Sequence, residues 1–307
     1  MDMEQRHPLT NGLGDAFSGC VQPTGYDERK LLSYMKIWIL SPLWGHEQMN
    51  MADYLDKIRL AGYDGIDTWI PQDEKTKKTL YDYISKHEML IVTHQHEAEG
   101  GDFTAFKDSF RKNLFRCAEP GPVLINSHTG RDYFSIEQHL ELLDIASEFS
   151  ERTGIKVAHE THRGRLGYSP QMTAELFKAR KNISITADFS HWVCVTESML
   201  EHFAPTLDEA ILRTRHIHAR VGYEQGPQVP HPGAPEWKYA LDHFLSWWDR
   251  IVKVNEEKGE RMLTITTEFG PKPYMPSIPF QNTPVVDQFS VNLFMKDLLI
   301  SRYASYR

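Results

Sequence analysis

From residue 35 onward the chain alternates between short apolar runs and longer stretches with helical spacing. The runs lie at 35–41 (MKIWILS), 63–70 (YDGIDTWI), 89–93 (MLIVT), 122–127 (PVLINS), 155–159 (IKVAH), 183–187 (ISITA), 215–221 (RHIHARV) and 262–267 (MLTITT). Their length and their flanking polar residues predict β-strands. Between them, Met49, Met51, Leu55, Ile58 and Leu60 fall roughly on one helical face of 48–60. Segments 136–150, 171–180, 236–255 and 285–303 behave similarly. Strands that alternate with helices pair in parallel through crossover connections. Eight such repeats predict a (β/α)8 TIM barrel over 35–307, close to the usual size of about 250 residues. A doubly wound sheet would need a glycine-rich phosphate loop, and neither G-x-G-x-x-G nor a Walker sequence is present. Residues 1–34 are rich in Gly, Pro, Asp and Gln and carry no sustained period. They predict an N-terminal extension that wraps the barrel or joins a subunit contact.

Composition narrows the function classes. The net charge of −8 and the pI near 6.0 argue against a nucleic-acid or anionic-membrane surface, which needs concentrated Lys and Arg. Cys20, Cys117 and Cys194 show no paired spacing, which points to a reducing compartment. No secretory h-region and no run of about 20 apolar residues is visible, so the expectation is a cytoplasmic protein. The Pro- and Gly-rich stretches GYEQGPQVPHPGAPEW and GPKPYMPSIPFQNTPV follow the last two strands. On a barrel such loops surround the active site, so both are expected to form a substrate lid, or to serve oligomer packing.

The candidate chemistry sits at the strand ends. His94 and His96 follow the third run, and His128 follows the fourth. Glu160 ends the fifth run, with Arg163 and Arg165 behind it. Asp188 and His191 follow the sixth, His216 and His218 lie in the seventh, and Glu268 ends the eighth. A barrel aims all of these at one mouth. Asp188 as a plain helix cap and His191 as a packed histidine are the ordinary readings of each alone. Ionisable groups gathered there are costly unless paired or bound to a cation. Side chains alternate along a strand, so His216 and His218 share a face, with His218 nearer the mouth. Glu160, Asp188, His218 and Glu268 then form a metal site of three carboxylates and one imidazole, with His216 as a deeper support. That donor set suits one divalent cation, Mn2+ first, with Mg2+, Co2+ and Zn2+ as alternatives.

The order Glu160, Asp188-x-x-His191, His216-x-His218, Glu268, together with AGYDGID at 61–67, resembles the xylose-isomerase-like TIM barrels. These include keto-sugar 3-epimerases, hydroxypyruvate isomerases, inosose dehydratases and an apurinic-endonuclease branch. The resemblance spans roughly 35–300. It implies that Glu160, Asp188, His218 and Glu268 bind one divalent cation, that His191 contacts substrate, and that the two glutamates exchange the substrate proton. The sequence departs from the epimerases, which carry a substrate-binding arginine several residues beyond the metal histidine. Glu224 stands there, and the nearest arginine is Arg220. It departs from the endonucleases too, because Val229-Pro230-His231 lacks the aspartate of their Asp-x-His pair.

The expected function is a metal-dependent isomerase or epimerase acting on a sugar or keto-sugar through an enediolate, with Glu160 and Glu268 moving the proton. The alternative is a lyase or dehydratase that eliminates water or a glycosyl group, with His94, His96 and His128 as extra acids. The catalytic candidates are thus Glu160, Glu268 and His128. The substrate-binding candidates are His94, His96, Arg163, His191, Trp192 and Arg220. Trp44 and Trp69 join Trp192 as candidate sugar platforms. The implied partner is a small carbohydrate, not nucleic acid or membrane, with a homo-oligomer or partner subunit as a further expectation. A phosphodiesterase and a non-catalytic sugar-binding barrel are the remaining readings.

Overall fold

In the computed structural model, residues 35–307 are described. The extension expected over 1–34, with Cys20, lies outside them. Eight parallel strands close into a barrel: β1 (Lys36–Pro42), β2 (Gly65–Thr68), β3 (Leu90–Gln95), β4 (Leu124–Ser127), β5 (Val157–Glu160), β6 (Ser184–Ala187), β7 (Thr214–His218) and β8 (Met262–Thr266). Closure is made by β8 against β1, where Ile37 pairs with Leu263 and Ile39 with Ile265. The strand ends shift from the expected bounds by up to three residues. β3 continues to Gln95, so His94 lies within it, and β7 stops at His218 three residues early.

The intervening helices are α1 (Met51–Leu60), α2 (Glu74–His87), α3 (Phe103–Ala118), α4 (Ile136–Thr153), α5 (Pro170–Ala179), the short α6 (Phe189–Thr196), α7 (Ala204–Arg213), α8 (Lys238–Glu257) and α9 (Gln288–Arg302). The five segments with helical spacing become α1, α4, α5, α8 and α9. Polar side chains start most of them. Asn50, Asp73, Asp102, Ser169 and Asp287 accept backbone N–H groups, and Ser135 forms a capping box with Gln138 on α4. α4 ends on Gly154, at a φ of 74° that glycine adopts without strain. No helix among the described residues is long and apolar enough to cross a membrane.

The barrel interior has two layers. Leu40, Val92, Leu124 and Ala158 fill the lower one, with Trp38 against them. The larger core lies outside the sheet, where strand side chains such as Ile39, Ile217 and Ile265 pack with helix residues such as Leu55, Phe244 and Trp248. Gly65 is required at the close approach of β2 to β3, because a Cβ there would sit 2.2 Å from the Leu90 carbonyl oxygen. The upper interior layer is polar and faces the mouth.

Candidate metal centre and cavity

Alternation along the strands brings the acidic and imidazole groups inward. Ala158 and Glu160 face the interior of β5, as do His216 and His218 on β7, and Glu268 continues the inward row of Thr264 and Thr266 beyond β8. One ligand atom from each of Glu160, Asp188, His218 and Glu268 lies within 4.8 Å of the others, and all four residues are buried. His218 Nδ1 approaches Glu268 Oε2 to 2.8 Å and Glu160 Oε2 to 3.6 Å. Yet Nδ1 and Glu268 Oε2 are not aligned as donor and acceptor, and Glu160 Oε1 also has no hydrogen-bond partner. Atoms that converge without pairing point at a shared centre. Buried groups of this kind demand a partner, and a divalent cation satisfies all of them at once. The residues present therefore fit such an ion. The donor set is oxygen-rich, as Mn2+, Mg2+ and Co2+ prefer.

Asp67 on β2 sets the orientation of His218. Its Oδ2 is 3.1 Å from His218 Nε2, 3.2 Å from His216 Nε2 and 2.9 Å from Thr266 Oγ1. A carboxylate only accepts, so both Nε2 atoms donate. His216 Nδ1 then accepts from Thr264 Oγ1 at 2.7 Å. His218 is left with its Nδ1 turned to the carboxylates, which is how a metal-binding imidazole is held by a carboxylate behind it. On the other side, Asn126 donates to Glu160 Oε2 at 2.7 Å, and His128 Nε2 lies 3.0 Å from the same oxygen. A second group of possible ligands, His94, His128 and Glu160, shares that glutamate.

Asp188 has the capping role expected of it, and its carboxylate also meets Arg220. Its Oδ1 caps α6 through the Ser190 N–H at 3.1 Å, while Oδ2 accepts from Arg220. Thr161 Oγ1 pins its backbone, donating to Asp188 O at 2.8 Å and accepting from Asp188 N at 2.9 Å.

Charge and burial compete throughout. Burial pushes Asp188 up to about 7, against the pull of Arg220 and with Glu268 and Glu160 adding to the rise. For Glu160, burial is outweighed by His128 and His218, which hold it well below the usual carboxylate range. Glu268 is lowered for a similar reason, burial losing to His218 and Arg220. Burial would lower His218, but Glu268 and Glu160 raise it well above an ordinary histidine. Burial takes His94 down to about 4, and His128 and His191 well below 6.5. His96, His94, His128, His162 and His191 form an arc of tilted and edge-on rings, with successive centroids 5.2, 4.3, 4.3 and 4.0 Å apart.

A cavity of about 240 Å3 opens over this centre. Glu268, His94, His96, His128, His162 and Arg220 form its polar side, and Trp44, Trp69 and Tyr274 form aromatic walls. Trp44 reaches the wall because Gly270 leaves room; a Cβ there would lie 2.1 Å from its ring. The two late loops meet here. Gln228 hydrogen-bonds both the N–H and the carbonyl of Gly270, and Tyr274 belongs to the second loop. Another hollow, of about 230 Å3, lies on the barrel flank beside α4 and β6. Its Arg180 is already paired with Asp144 at 2.7 and 2.9 Å.

The structure places the expected substrate-binding residues unevenly about the cavity. Trp192 does not reach the cavity. It is fully buried against Phe189, with its Nε1 donating to Gly167 O at 2.8 Å, because α6 turns that face into the core. His191 is also fully buried and off the cavity wall, where its Nε2 accepts from Arg220 at 2.7 Å. Arg163 lies with its guanidinium 5.2 Å from the Tyr274 ring centroid, and it does not line the cavity. Arg220 does line it, but is held by Asp188. Asp67, Asn126, His162 and Tyr274 were not singled out from the sequence. Only Asp67 had a signal there, as the last residue of the AGYDGID motif.

Comparison with known proteins places these features in a family. The model of the xylose isomerase-like TIM barrel family matches residues 55–259. No curated protein matches. Among solved structures, 3-keto-D-glucoside 4-epimerase from E. coli aligns with a TM-score of 0.57 at 13% identity, over 87% of this chain and 100% of the other. The probable 3-DHS dehydratase of Bacillus anthracis aligns at 0.52 and 16%, over 78% and 94%. Endonuclease IV from Thermus thermophilus aligns at 0.54 and 13%, over 87% and 99%. At such identities the likeness is one of fold, and three different chemistries sit on it. The matched span covers most of the barrel, and the chain belongs to the xylose isomerase-like TIM barrel family.

Proposed function

We propose that this protein is a divalent-metal-dependent isomerase or epimerase of a sugar or keto-sugar. The observation that carries the reading is the convergence of Glu160, Asp188, His218 and Glu268 within 4.8 Å at the floor of a cavity. When bound there, a divalent cation, Mn2+ first, would polarise a carbonyl and its neighbouring hydroxyl. The chain's own residues handle the proton. Glu268 lines the cavity and is 8% exposed, whereas Glu160 is 2% exposed and held by Asn126 and His128. Glu268 is thus the base that meets the carbon beside the carbonyl. Glu160 returns the proton on the other side, or holds the cation while Glu268 does both. His94, His96 and His128 offer hydrogen bonds to substrate hydroxyls.

A second reading is elimination of water or a glycosyl group. His94 and His128 favour it, since both lie on the cavity wall and can hydrogen-bond a leaving oxygen. The epimerase and dehydratase among the structural neighbours keep both reactions open to this family. In either case the partner is a small carbohydrate, and the expected setting is the cytoplasm.

The test is turnover of a panel of keto-sugars in deuterated water by the metal-loaded protein. Solvent deuterium should appear beside the carbonyl, and a chelator should stop it. Turnover of a substrate with no deuterium at that carbon would reject proton abstraction in favour of a hydride shift or remote chemistry.

A further inference from the structure

We infer that the cavity receives a single electrically neutral, ring-closed sugar or cyclitol, and not a sugar phosphate. The inference deepens the metal-dependent sugar reading and rests on it.

Charge is the first argument. Glu160, Asp188 and Glu268 are all buried at the centre. One divalent cation and Arg220 balance these three carboxylates and leave no positive charge over. Arg220 is itself 1% exposed, and its guanidinium is shared among Asp188, His191 and Ser190. Among the described residues, no lysine and no other arginine lines the cavity. A phosphate group would bring about two negative charges onto a lining whose one arginine, Arg220, is already held by Asp188. Hydroxyl groups find many partners there, in the imidazoles of His94, His96, His128 and His162.

Shape is the second argument. Trp44 and Tyr274 meet edge to face, with centroids 5.0 Å apart and planes at 88°, and so form an aromatic corner. Trp69 stands against His96 at 5.3 Å. Three aromatic rings from three separate loops thus border one small space. A closed sugar ring presents flat patches of C–H groups that gain by leaving water against such surfaces. An extended polyol has no comparable patch and would lose more rotational freedom. The volume of about 240 Å3 is below the roughly 300–1,000 Å3 typical of drug-sized ligands, which suits one ring.

The experiment titrates the Mn2+-loaded protein, reading intrinsic tryptophan fluorescence and thermal shift. The probes are methyl glucoside, myo-inositol, sorbitol and glucose 6-phosphate. At least one ring compound should bind at millimolar concentration, about tenfold or more tighter than sorbitol and glucose 6-phosphate. Trp69→Ala should weaken it by a similar factor and leave the metal content unchanged. Equal or tighter binding of glucose 6-phosphate would overturn the inference, as would equal binding of sorbitol, or no ring compound binding at all. Binding is read without turnover, so failure of deuterium exchange would sink the reaction and leave this result standing.

Discussion

Three strands, β3, β4 and β5, contribute to both a lower and an upper layer of the barrel interior, and the two layers do opposite things. Val92, Leu124 and Ala158 are buried hydrocarbon below. Two residues further along, a rise of roughly 6.6 Å, the same strands present His94, Asn126 and Glu160. The lower layer gains stability from apolar burial and close packing. The upper layer gathers carboxylates and imidazoles whose polar atoms are partly left without partners. Such groups weaken a fold until something binds them. The contrast separates positions that hold the barrel together from positions that act on a ligand. It predicts that substitutions in the two layers move different measurements.

The largest expected effect belongs to the upper layer. Glu268→Gln should lower turnover by about 10^2–10^4-fold, as loss of a general base does, while metal content per folded chain falls much less. If metal is lost as fully as turnover, Glu268 acts as a ligand and not as the base. In the lower layer, Leu124→Ala should cost about 2–5 kcal/mol in denaturant unfolding, with unchanged metal stoichiometry in the folded fraction. Loss of metal from a folded Leu124→Ala protein would show that the layers are not separable.

Asp67 lies between the two layers. Asp67→Ala should weaken metal affinity by about 10–100-fold, as removal of a carboxylate behind a metal-bound histidine does. Competition with a chelator of known affinity measures it, and an unchanged affinity would leave Asp67 a purely structural residue. The smallest effect is in pH. Without a cation, burial would lower His218, but Glu268 and Glu160 raise it well above 6.5. Metal binding must displace that proton from the ring. Affinity should therefore rise with pH, by about tenfold per unit, while the pH stays below the raised value. Calorimetry in buffers of different ionisation enthalpy should register the released proton. A flat affinity across neutral pH would mean that His218 is not a ligand.

The fold was legible to different depths in different places. All eight strands could be placed because an apolar run of that length, set between helical stretches, fits a buried strand and little else. Helices α2, α3 and α7 did not stand out. α2 buries only Leu80 and Ile84, so its pattern is faint. α3 does bury Phe106, Phe110, Leu114 and Cys117 on one face, a spacing that went unused. The strand-end positions of Glu160, Asp188, His218 and Glu268, which converge in the structure, were readable, and the family resemblance singled them out as a set. The cavity was not readable. Trp192 looked like a sugar platform because it follows His191, but one residue's step on a helix turns a side chain by about 100°, here into the core. Trp44 and Trp69, the other two candidate platforms, stand just past β1 and β2 and do line the cavity.

What the sequence determined by itself was the alternation of strands and helices, and with it which residues reach the barrel mouth. That information is local, because a period of two along a strand sets which way each side chain faces. Tertiary structure alone decided the partners. Asp67 meets His218 across 151 positions, and Arg220 meets Asp188 across 32. Tyr274 comes to the cavity through a loop held by Gln228 from another loop. Such pairings depend on barrel closure and on how loops pack over it, and no periodicity within one segment encodes the distance to another.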